Sequence, residues 1–254
     1  MPAFTLSAVI ITYQEEKNIR RCLDSLRGLA DEIIVVDSFS TDKTKEICIE
    51  QGVRFFQFPW DGFSAAKNHG NKQAIGDYIL SIDADEALSD RLKQSLLREK
   101  ENPHAEVYSF HRLTNYCGQW IRHGGWYPDV KIRIFKRGLA HWVGEVHEEL
   151  FFSTLIKPMS IHGDLLHYSY PTVESHLLKS LTYASLIAAR DFAHGKKKNV
   201  LLHGILKPSS FFVKQYVLRL GFLDGYYGFV IAVISGLEKF MRFATFRELS
   251  KNSK

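Results

Sequence analysis

Short apolar runs alternate with amphipathic stretches in the N-terminal part of the chain. Apolar runs at positions 8–11, 32–37, 53–58 and 78–83 predict four β-strands. Apolar residues between the first two runs recur every three or four positions and predict a helix, at Ile19, Cys22, Leu23, Leu26 and Leu29. This alternation predicts an α/β fold in which a mostly parallel sheet is flanked by helices.

The later part of the chain follows a different pattern. Apolar and basic residues alternate over residues 130–135 and predict a half-exposed strand, and a helix is predicted over residues 173–194. We therefore predict an α/β domain over residues 1–170. A helical extension, basic and rich in aromatic residues, is predicted over residues 171–254.

Two carboxylates, Asp83 and Asp85, follow the fourth predicted strand. Tyr13 and Asp37 lie at the ends of the first and second strands, and ligands of such sheets bind at that edge. Oxygen ligands suit Mg²⁺ or Mn²⁺, and an ion held by one or two carboxylates usually completes its shell with substrate phosphates. The sequence therefore predicts a metal and nucleotide-diphosphate site. The alternative for the acidic pair is a solvated turn.

Four motifs together resemble the family 2 glycosyltransferases, which have the GT-A fold. They lie at residues 11–16 (ITYQEE), 36–42 (VDSFSTD), 66–70 (AKNHG) and 83–85 (DAD), and the resemblance covers residues 5–170. This resemblance implies that residues 1–170 form a catalytic domain that binds a nucleotide sugar.

The resemblance also implies roles for individual residues. The residues implied to line the nucleoside pocket, with the last facing uracil, are Thr12, Tyr13, Glu15 and Asp37. Lys67 would lie near the ribose and phosphates, and Asp83 and Asp85 would hold Mn²⁺ or Mg²⁺ on the diphosphate of a UDP-sugar. The sequence departs from the usual family pattern at Gln14, where Asn is common, and at Ser38 and Lys67, where Asp and Arg are commoner.

The segment 141–149 contains the candidates for a catalytic base. An inverting transfer needs a carboxylate that takes the proton from the acceptor hydroxyl. The sequence Val146-His147-Glu148 is similar to a motif in a subset of the family that includes lipopolysaccharide-core glucosyltransferases. By this resemblance Glu148 is the first candidate and Glu145 the second, and the alternative for both is an acidic helix start.

A histidine and several aromatic residues complete the candidates in the middle of the chain. His167 matches a position where related folds often place a metal ligand, and the alternative is a histidine with only a structural hydrogen bond. Trp142 is predicted to lie in the core. Trp126 and Tyr127 are either core residues or contacts of a sugar acceptor.

The positive charge of the chain is concentrated in its C-terminal part. From Lys196 onward there are eleven Lys and Arg residues against three acids, whereas the whole chain has a net charge of +5. The longest apolar stretch there, residues 226–237, is shorter than the roughly 20 residues that span a bilayer. A basic, aromatic-rich helix is typical of an anionic membrane surface. Packing or homo-oligomer formation is one alternative, and nucleic-acid binding the least favoured one.

Composition adds little else. The three cysteines lack the spacing of metal ligands and indicate reduced thiols in a cytosolic protein, and no signal peptide is recognised. Together with the basic, aromatic-rich C-terminal part, these features lead us to expect a protein at the inner face of the bacterial inner membrane.

These patterns favour an inverting, metal-dependent glycosyltransferase that moves a hexose from a UDP-sugar to a lipopolysaccharide-core or lipid-linked glycan acceptor. Two alternatives stay open: a sugar nucleotidyltransferase on the same scaffold, and a membrane-associated scaffold without turnover. The nucleotidyltransferase needs a glycine-rich loop after the first strand, and residues 12–18 contain no glycine. A Rossmann dehydrogenase is excluded by the same absence.

Overall fold

The computed structural model describes residues 3–144 and 148–252. Within these residues the strands are β1 (Leu6–Thr12), β2 (Glu32–Asp37), β3 (Arg54–Gln57), β4 (Tyr78–Asp83), β5 (Glu86–Leu88), β6 (Val107–Tyr116), β7 (Gln119–Ile121), β8 (Asp129–Lys136), β9 (Ala140–Val143), β10 (Glu149–Phe152) and β11 (Met159–Tyr170). The α-helices are α1 (Ile19–Leu26), α2 (Thr44–Glu50), α3 (Phe63–Gln73), α4 (Asp90–Glu101), α5 (Val173–Ala193), α6 (Lys207–Val213) and α7 (Gly225–Asn252). The predicted α/β class with a C-terminal helical region is confirmed.

Strand β1 shows why helices cover both faces of the sheet. Successive side chains of a strand point to opposite faces. Ala8 and Ile10 lie in one apolar core together with Leu23 of α1, whereas Val9 and Ile11 lie in a second core with Ala66 of α3. The sheet is therefore buried on both sides, as parallel sheets usually are.

The strand order is β3-β2-β1-β4-β8-β6-β11-β5, with β7 paired to β6. The four N-terminal strands β3, β2, β1 and β4 are parallel. The later strands add antiparallel pairs, since β8 runs antiparallel to β4 and to β6, and β5 runs antiparallel to β11. Strands β9 and β10 form a separate antiparallel pair. The parallel part of the sheet thus carries the edge at which the sequence predicts ligand binding.

Helix α3 lies unusually close to the sheet at Gly70. A Cβ atom there would come within 2.4 Å of Val9 Cγ1 and 3.0 Å of Val36 Cγ2. Only glycine allows this approach without displacing β1 or β2 side chains. Lys67 and Asn68, which precede Gly70 by less than one turn, are therefore held close to the sheet.

The chain forms two compact units. The first comprises Met1–Arg112 and Asp129–Tyr168, and the second comprises Leu113–Pro128 and Ser169–Lys254. The predicted division after residue 170 stays a prediction. The segment 113–128 precedes that position in the chain and belongs to the second unit.

The second unit is built around α5 and α7, which pack along each other. Thr172 and Ser175 form a capping box at the start of α5, where the sequence predicts a helix start. Asp224, just before α7, accepts hydrogen bonds from the backbone N–H groups of Arg122 (3.2 Å) and His123 (2.8 Å). The segment 113–128 is thereby tied to the C-terminal helices.

Candidate active site

Three predicted donor-site residues lie at the carboxyl edge of neighbouring parallel strands. Thr12 pairs with Asp37 in the register of β1 and β2, and Ile11 pairs with Asp83 in the register of β1 and β4. These side chains come from positions far apart in the sequence. The sheet therefore brings Thr12, Asp37 and Asp83 together at one edge.

Lys67 of α3 lies between two carboxylates. Its Nζ is 2.9 Å from Glu148 Oε1 and 3.1 Å from Asp83 Oδ1, and its side chain is only 1% exposed. The ammonium also lies 4.5 Å from the centroid of the Trp142 ring. A buried charge needs such partners, because removing it from water is costly. Glu148 keeps 22% of its side chain exposed and remains accessible to a substrate.

Arg133 of β8 is a member of this cluster that the sequence analysis missed. Its Nη2 is 3.0 Å from Asp83 Oδ2 and 2.9 Å from Glu86 Oε1, and only 5% of its side chain is exposed. Glu86 Oε2 in turn accepts a hydrogen bond of 3.0 Å from the backbone N–H of Asp83. The Asp-Ala-Asp turn is therefore held by a buried ion pair. The alternation of apolar and basic residues over 130–135 was the sequence signal that could have identified Arg133.

The charges of this cluster stabilise one another. Burial alone would raise the pKa of Asp83, but the charges of Lys67 and Arg133 outweigh it and hold that pKa well below its usual range. Burial would likewise lower the pKa of Arg133, but Glu86 and Asp83 raise it. Asp83 and Arg133 are therefore both ionised at neutral pH.

Asp85 and His167 form a second pair. His167 Nε2 lies 3.3 Å from Asp85 Oδ2, and their side chains are 13% and 20% exposed. Strand β11 places the histidine, since His167 pairs with Glu86 and the N–H of Tyr168 donates to the carbonyl of Asp85 at 2.8 Å. His167 Nδ1 is buried and has no hydrogen-bond partner among the described residues. The imidazole is thus aimed at the Asp-Ala-Asp turn.

The three residues predicted to ligate a metal do not form one group. Within residues 3–144 and 148–252, no three His, Cys, Asp or Glu side chains are placed to hold an ion together. Asp83 is engaged by Lys67 and Arg133 instead. Asp85 and His167 supply one oxygen and one nitrogen, both suitable for Mn²⁺. This pair fits an ion that takes its other ligands from a diphosphate.

The loops after β1 and β2 are joined by hydrogen bonds. Gln14 Nε2 donates to Thr41 Oγ1 at 2.8 Å, and the N–H of Gln14 donates to Ser40 Oγ at 2.9 Å. Gln14 and Phe39 both adopt the left-handed conformation, with φ of 57° and 61°. Non-glycine residues in this conformation are strained, and such strain concentrates at functional sites. The side chain of Gln14 binds the facing loop and offsets that strain.

The predicted nucleoside residues differ in how far their polar atoms are occupied. Asp37 is buried, and its carboxylate accepts hydrogen bonds from the N–H and the hydroxyl of Ser40. Glu15 accepts a hydrogen bond of 2.8 Å from Asn18 Nδ2. Thr12 Oγ1 is buried without a partner in the described part of the chain, and Tyr13 is 56% exposed. Thr12 and Tyr13 therefore offer a hydrogen-bonding group and an aromatic face to a ligand.

Strand β9 is fastened to α3 beside this cluster. The side-chain amide of Asn68 donates to the backbone carbonyl of Trp142 (2.8 Å) and accepts from the backbone N–H of Trp142 (2.9 Å). Trp142 is buried, in agreement with its predicted place in the core. Glu148 directly precedes strand β10, so the alternative of an acidic helix start does not apply to it. The second candidate base, Glu145, lies outside the described residues.

Trp126 and Tyr127 lie in the second unit. Trp126 packs against Tyr116, with ring centroids 5.9 Å apart, and against Tyr170 at 5.4 Å. Trp126 therefore belongs to an aromatic cluster of that unit. An acceptor contact by either residue stays a prediction.

Several relatives of the chain carry the word glycosyltransferase in their names. An uncharacterized glycosyltransferase of Rickettsia typhi is 28% identical, over 98% of this chain and 89% of the relative. The lipopolysaccharide core biosynthesis glycosyltransferase LpsC of Rhizobium meliloti is 27% identical, over 95% of this chain and 91% of the relative. Among solved structures, TarS of S. aureus is similar over 98% of this chain and 92% of the other, with 16% identity and a TM-score of 0.47.

Residues 7–157 match the model of the family described as glycosyl transferase family 2. The match spans more than half of the chain and includes Thr12, Asp37, Lys67 and the Asp83–Asp85 turn. It also extends through Glu148. The chain therefore belongs to the family 2 glycosyltransferases and is a glycosyltransferase.

Proposed function

We propose that this glycosyltransferase is a metal-dependent inverting enzyme that moves a hexose from a UDP-sugar to a lipopolysaccharide-core or lipid-linked acceptor. The observation that carries the proposal is the position of Lys67, which contacts both Asp83 and Glu148. The turn that carries the proposed metal ligand Asp85 and the proposed base Glu148 are thereby held beside the same ammonium.

Thr12, Tyr13 and Asp37 support the binding of the nucleoside. The buried hydroxyl of Thr12 has no partner among the described residues, and a ligand would satisfy it. The exposed ring of Tyr13 can stack on a base. Asp37 is held rigidly by Ser40, and its carboxylate can accept a hydrogen bond from the N–H of uracil.

Asp85 and His167 are the residues that would hold Mn²⁺ or Mg²⁺. The bound ion would offset the negative charge that develops on the diphosphate as the glycosidic bond to the sugar breaks. Lys67 acts in the same sense from the chain itself, because its ammonium is buried and already oriented.

Glu148 is the proposed base. It removes the proton of the acceptor hydroxyl as the oxygen forms its bond to the anomeric carbon and UDP leaves from the opposite face. The Lys67 ammonium lies 2.9 Å from Glu148 Oε1 and fixes the position of this carboxylate. A single displacement inverts the anomeric centre, so an α-linked donor gives a β-linked product.

The acceptor class is proposed from the relatives. LpsC carries lipopolysaccharide core biosynthesis in its name and matches this chain nearly end to end. An acceptor of that kind is assembled on lipid, and we propose that the enzyme acts at the inner face of the bacterial inner membrane.

Donor binding tests the metal assignment. We expect calorimetry to show UDP binding that is at least tenfold tighter with Mn²⁺ than without metal, roughly the effect of one charge-assisted contact. The Asp85→Asn variant should lose this metal dependence and retain the weak metal-free binding. Asp24→Asn, on the exposed face of α1, is the matched control and should behave as wild type.

Two outcomes would overturn the proposal. Wild-type metal dependence in Asp85→Asn would disprove the assignment of the metal site. A panel of UDP- and GDP-sugars tested for thermal stabilisation would disprove the donor class if only GDP-sugars raised the Tm. Slow hydrolysis of the stabilising sugar would exclude the scaffold without turnover, since hydrolysis needs no acceptor.

A further inference from the structure

We propose that an apolar surface on α7 and the segment before it docks on the anionic face of a lipid bilayer. This inference does not depend on the donor or on the metal. It starts from the way in which the helices of the second unit bury one part of the C-terminal region and leave another exposed.

One face of α7 is core. Ile231, Ile234, Phe243 and Phe246 are buried, and the helix packs along α5. Arg242 on this face binds the buried carboxylate of Asp191 in α5, with its Nε 3.0 Å from Asp191 Oδ2. Core packing, one of the alternatives that the sequence leaves open for the C-terminal part, is therefore observed for this half of the helix.

The other face of α7 carries an apolar stripe, which we define as Tyr226, Phe229, Val233, Leu237 and Phe240. Their spacing of three or four residues puts them on one side of the helix. They are 72%, 46%, 42%, 39% and 43% exposed, respectively. Large apolar residues that remain exposed as a continuous stripe usually mark a contact surface.

The stripe continues into the segment before α7. The Tyr216 ring lies 5.6 Å from the Phe229 ring and 6.3 Å from the Phe222 ring, measured between centroids. Phe222 is 45% exposed and Leu218 is 72% exposed. The stripe and these side chains therefore form one apolar surface rather than isolated residues.

Leu220 lies at the bend between the two helical parts. It adopts the left-handed conformation, with φ of 57°, and its side chain is 47% exposed. A leucine is unfavourable in this conformation. In this conformation the apolar side chain of Leu220 points into solvent. Burial of that side chain in a partner would be favourable.

The charge around this surface selects the partner. No acid occurs between Asp191 and Asp224, whereas that interval has six basic residues. Lys196 and Lys198 pair with the buried Asp191, and three others, Lys207, Lys214 and Arg219, are exposed in the segment before α7. The spacing of the stripe also continues to two exposed cations on α7, Arg247 and Lys251. An apolar strip bordered by cations fits an interface of acyl chains and anionic head groups.

The surface lies on the bilayer rather than across it. No single helix in the described ranges is long and apolar enough to span a membrane, although the pair Val200–Leu218 and Gly221–Lys251, bent by 72°, passes the test together. A helix that spans a bilayer alone would meet lipid on all sides. The buried face of α7 is already occupied by α5, so only the stripe is free for lipid.

Co-sedimentation of the full chain with vesicles tests the proposal. We expect binding to vesicles with one-quarter phosphatidylglycerol and little binding to pure phosphatidylcholine, with release as salt is raised. The double variant F229Q/V233Q should bind at least tenfold more weakly. Controls are Ile49→Gln and Ile75→Gln, which replace apolar residues of the first unit that are more exposed than Phe229 and Val233 and should bind as wild type.

A second variant separates lipid contact from altered folding. K207E/K214E leaves the stripe intact and should lose binding to anionic vesicles at an unchanged Tm. Equal binding to both vesicle types, no binding, or wild-type binding by F229Q/V233Q at an unchanged Tm would overturn the proposal. A concentration-dependent dimer that F229Q/V233Q abolishes would also overturn it and assign the stripe to a second copy. UDP binding measured on the same variants should be unaffected, which distinguishes this proposal from the donor assignment.

Discussion

Both units contain a carboxylate held by several cations, and the two sites differ in which polar atoms they leave unpaired. Asp191 is 1% exposed, with Lys196 Nζ 2.8 Å from its Oδ1, Lys198 Nζ 2.9 Å from its Oδ2, and Arg242 also bound to Oδ2. Asp83 is 26% exposed and binds Lys67 and Arg133. In both, burial would raise the pKa and the cations lower it.

Unpaired polar atoms distinguish the two sites. Thr12 Oγ1, His167 Nδ1 and Arg133 Nε lie around the Asp83 cluster and have no hydrogen-bond partner among the described residues. A closed cluster such as that of Asp191 fixes helices to each other. An incomplete cluster retains the capacity to bind a ligand. Pairing alone therefore does not identify a functional site, whereas unpaired polar atoms beside the pair make the Asp83 cluster the better candidate.

The largest effect is expected at Glu148, which belongs to the incomplete cluster. Glu148→Gln keeps the shape of the side chain but cannot accept a proton, so kcat should fall by roughly 10²–10⁴. Steady-state kinetics with calorimetry of UDP binding checks this, since donor affinity should change little. Glu149→Gln, at the next and exposed position, is the control.

The roles of the two candidate bases are separated by the same assay. A comparable loss in Glu145→Gln with near-normal turnover in Glu148→Gln would transfer the catalytic role to Glu145.

The closed cluster should respond through stability instead. Asp191→Asn removes the charge that the three cations share, and we expect the free energy of unfolding to fall by about 2–3 kcal/mol, below the usual loss for a fully buried pair because Lys196 can reach water. Urea denaturation measures the loss. Turnover per folded molecule should stay near wild type.

Asp83→Asn sharpens the contrast. It should reduce turnover strongly, because the orientation of Lys67 depends on it. If Asp191→Asn lost turnover and kept its stability, the distinction between closed and incomplete clusters would be wrong.

The smallest effect concerns His176 of α5, which is buried beside Tyr116, with His176 Nδ1 3.0 Å from the tyrosine hydroxyl. Burial, with a smaller effect of Lys179, lowers the pKa of His176 to about 4. Between that value and the unfolded pKa of about 6.5, only the unfolded chain binds the proton. Stability should therefore decrease as pH falls through this window, by about 2 kcal/mol after allowance for solvent.

Urea denaturation at several pH values checks this effect. His176→Gln should flatten the dependence between pH 4.5 and 7, whereas His162→Gln, at an exposed position, should leave it unchanged. An equal slope in wild type and His176→Gln would contradict the assignment.

Local patterns in the sequence predict much of the fold. The helix predicted over residues 173–194 is observed as α5, Val173–Ala193, because its apolar spacing and its cap are properties of neighbouring residues. The strand predicted over residues 130–135 is observed as β8, Asp129–Lys136. Such elements depend on periodicities of two or 3.6 residues that the chain itself displays.

Long-range pairing is what the sequence could not reveal. The alternation in β8 indicated a half-exposed strand, yet Arg133 is buried because Asp83 and Glu86, about fifty positions earlier, face it. Lys67 was predicted near phosphates from a resemblance, but its contact with Glu148 joins residues 81 positions apart. No periodicity encodes such partners, because they are brought together only by the order of the strands.

The discontinuous second unit has a consequence for how such enzymes diversify. Ile231 of α7 packs with Tyr116 and Ile121, which precede the last strands of the first unit in the chain. A gene exchange at position 170 would transfer the helices without their partner segment and expose that apolar cluster. The C-terminal region is therefore not an exchangeable cassette. New specificities on this scaffold should arise by substitutions within it, or by replacement of both segments at once.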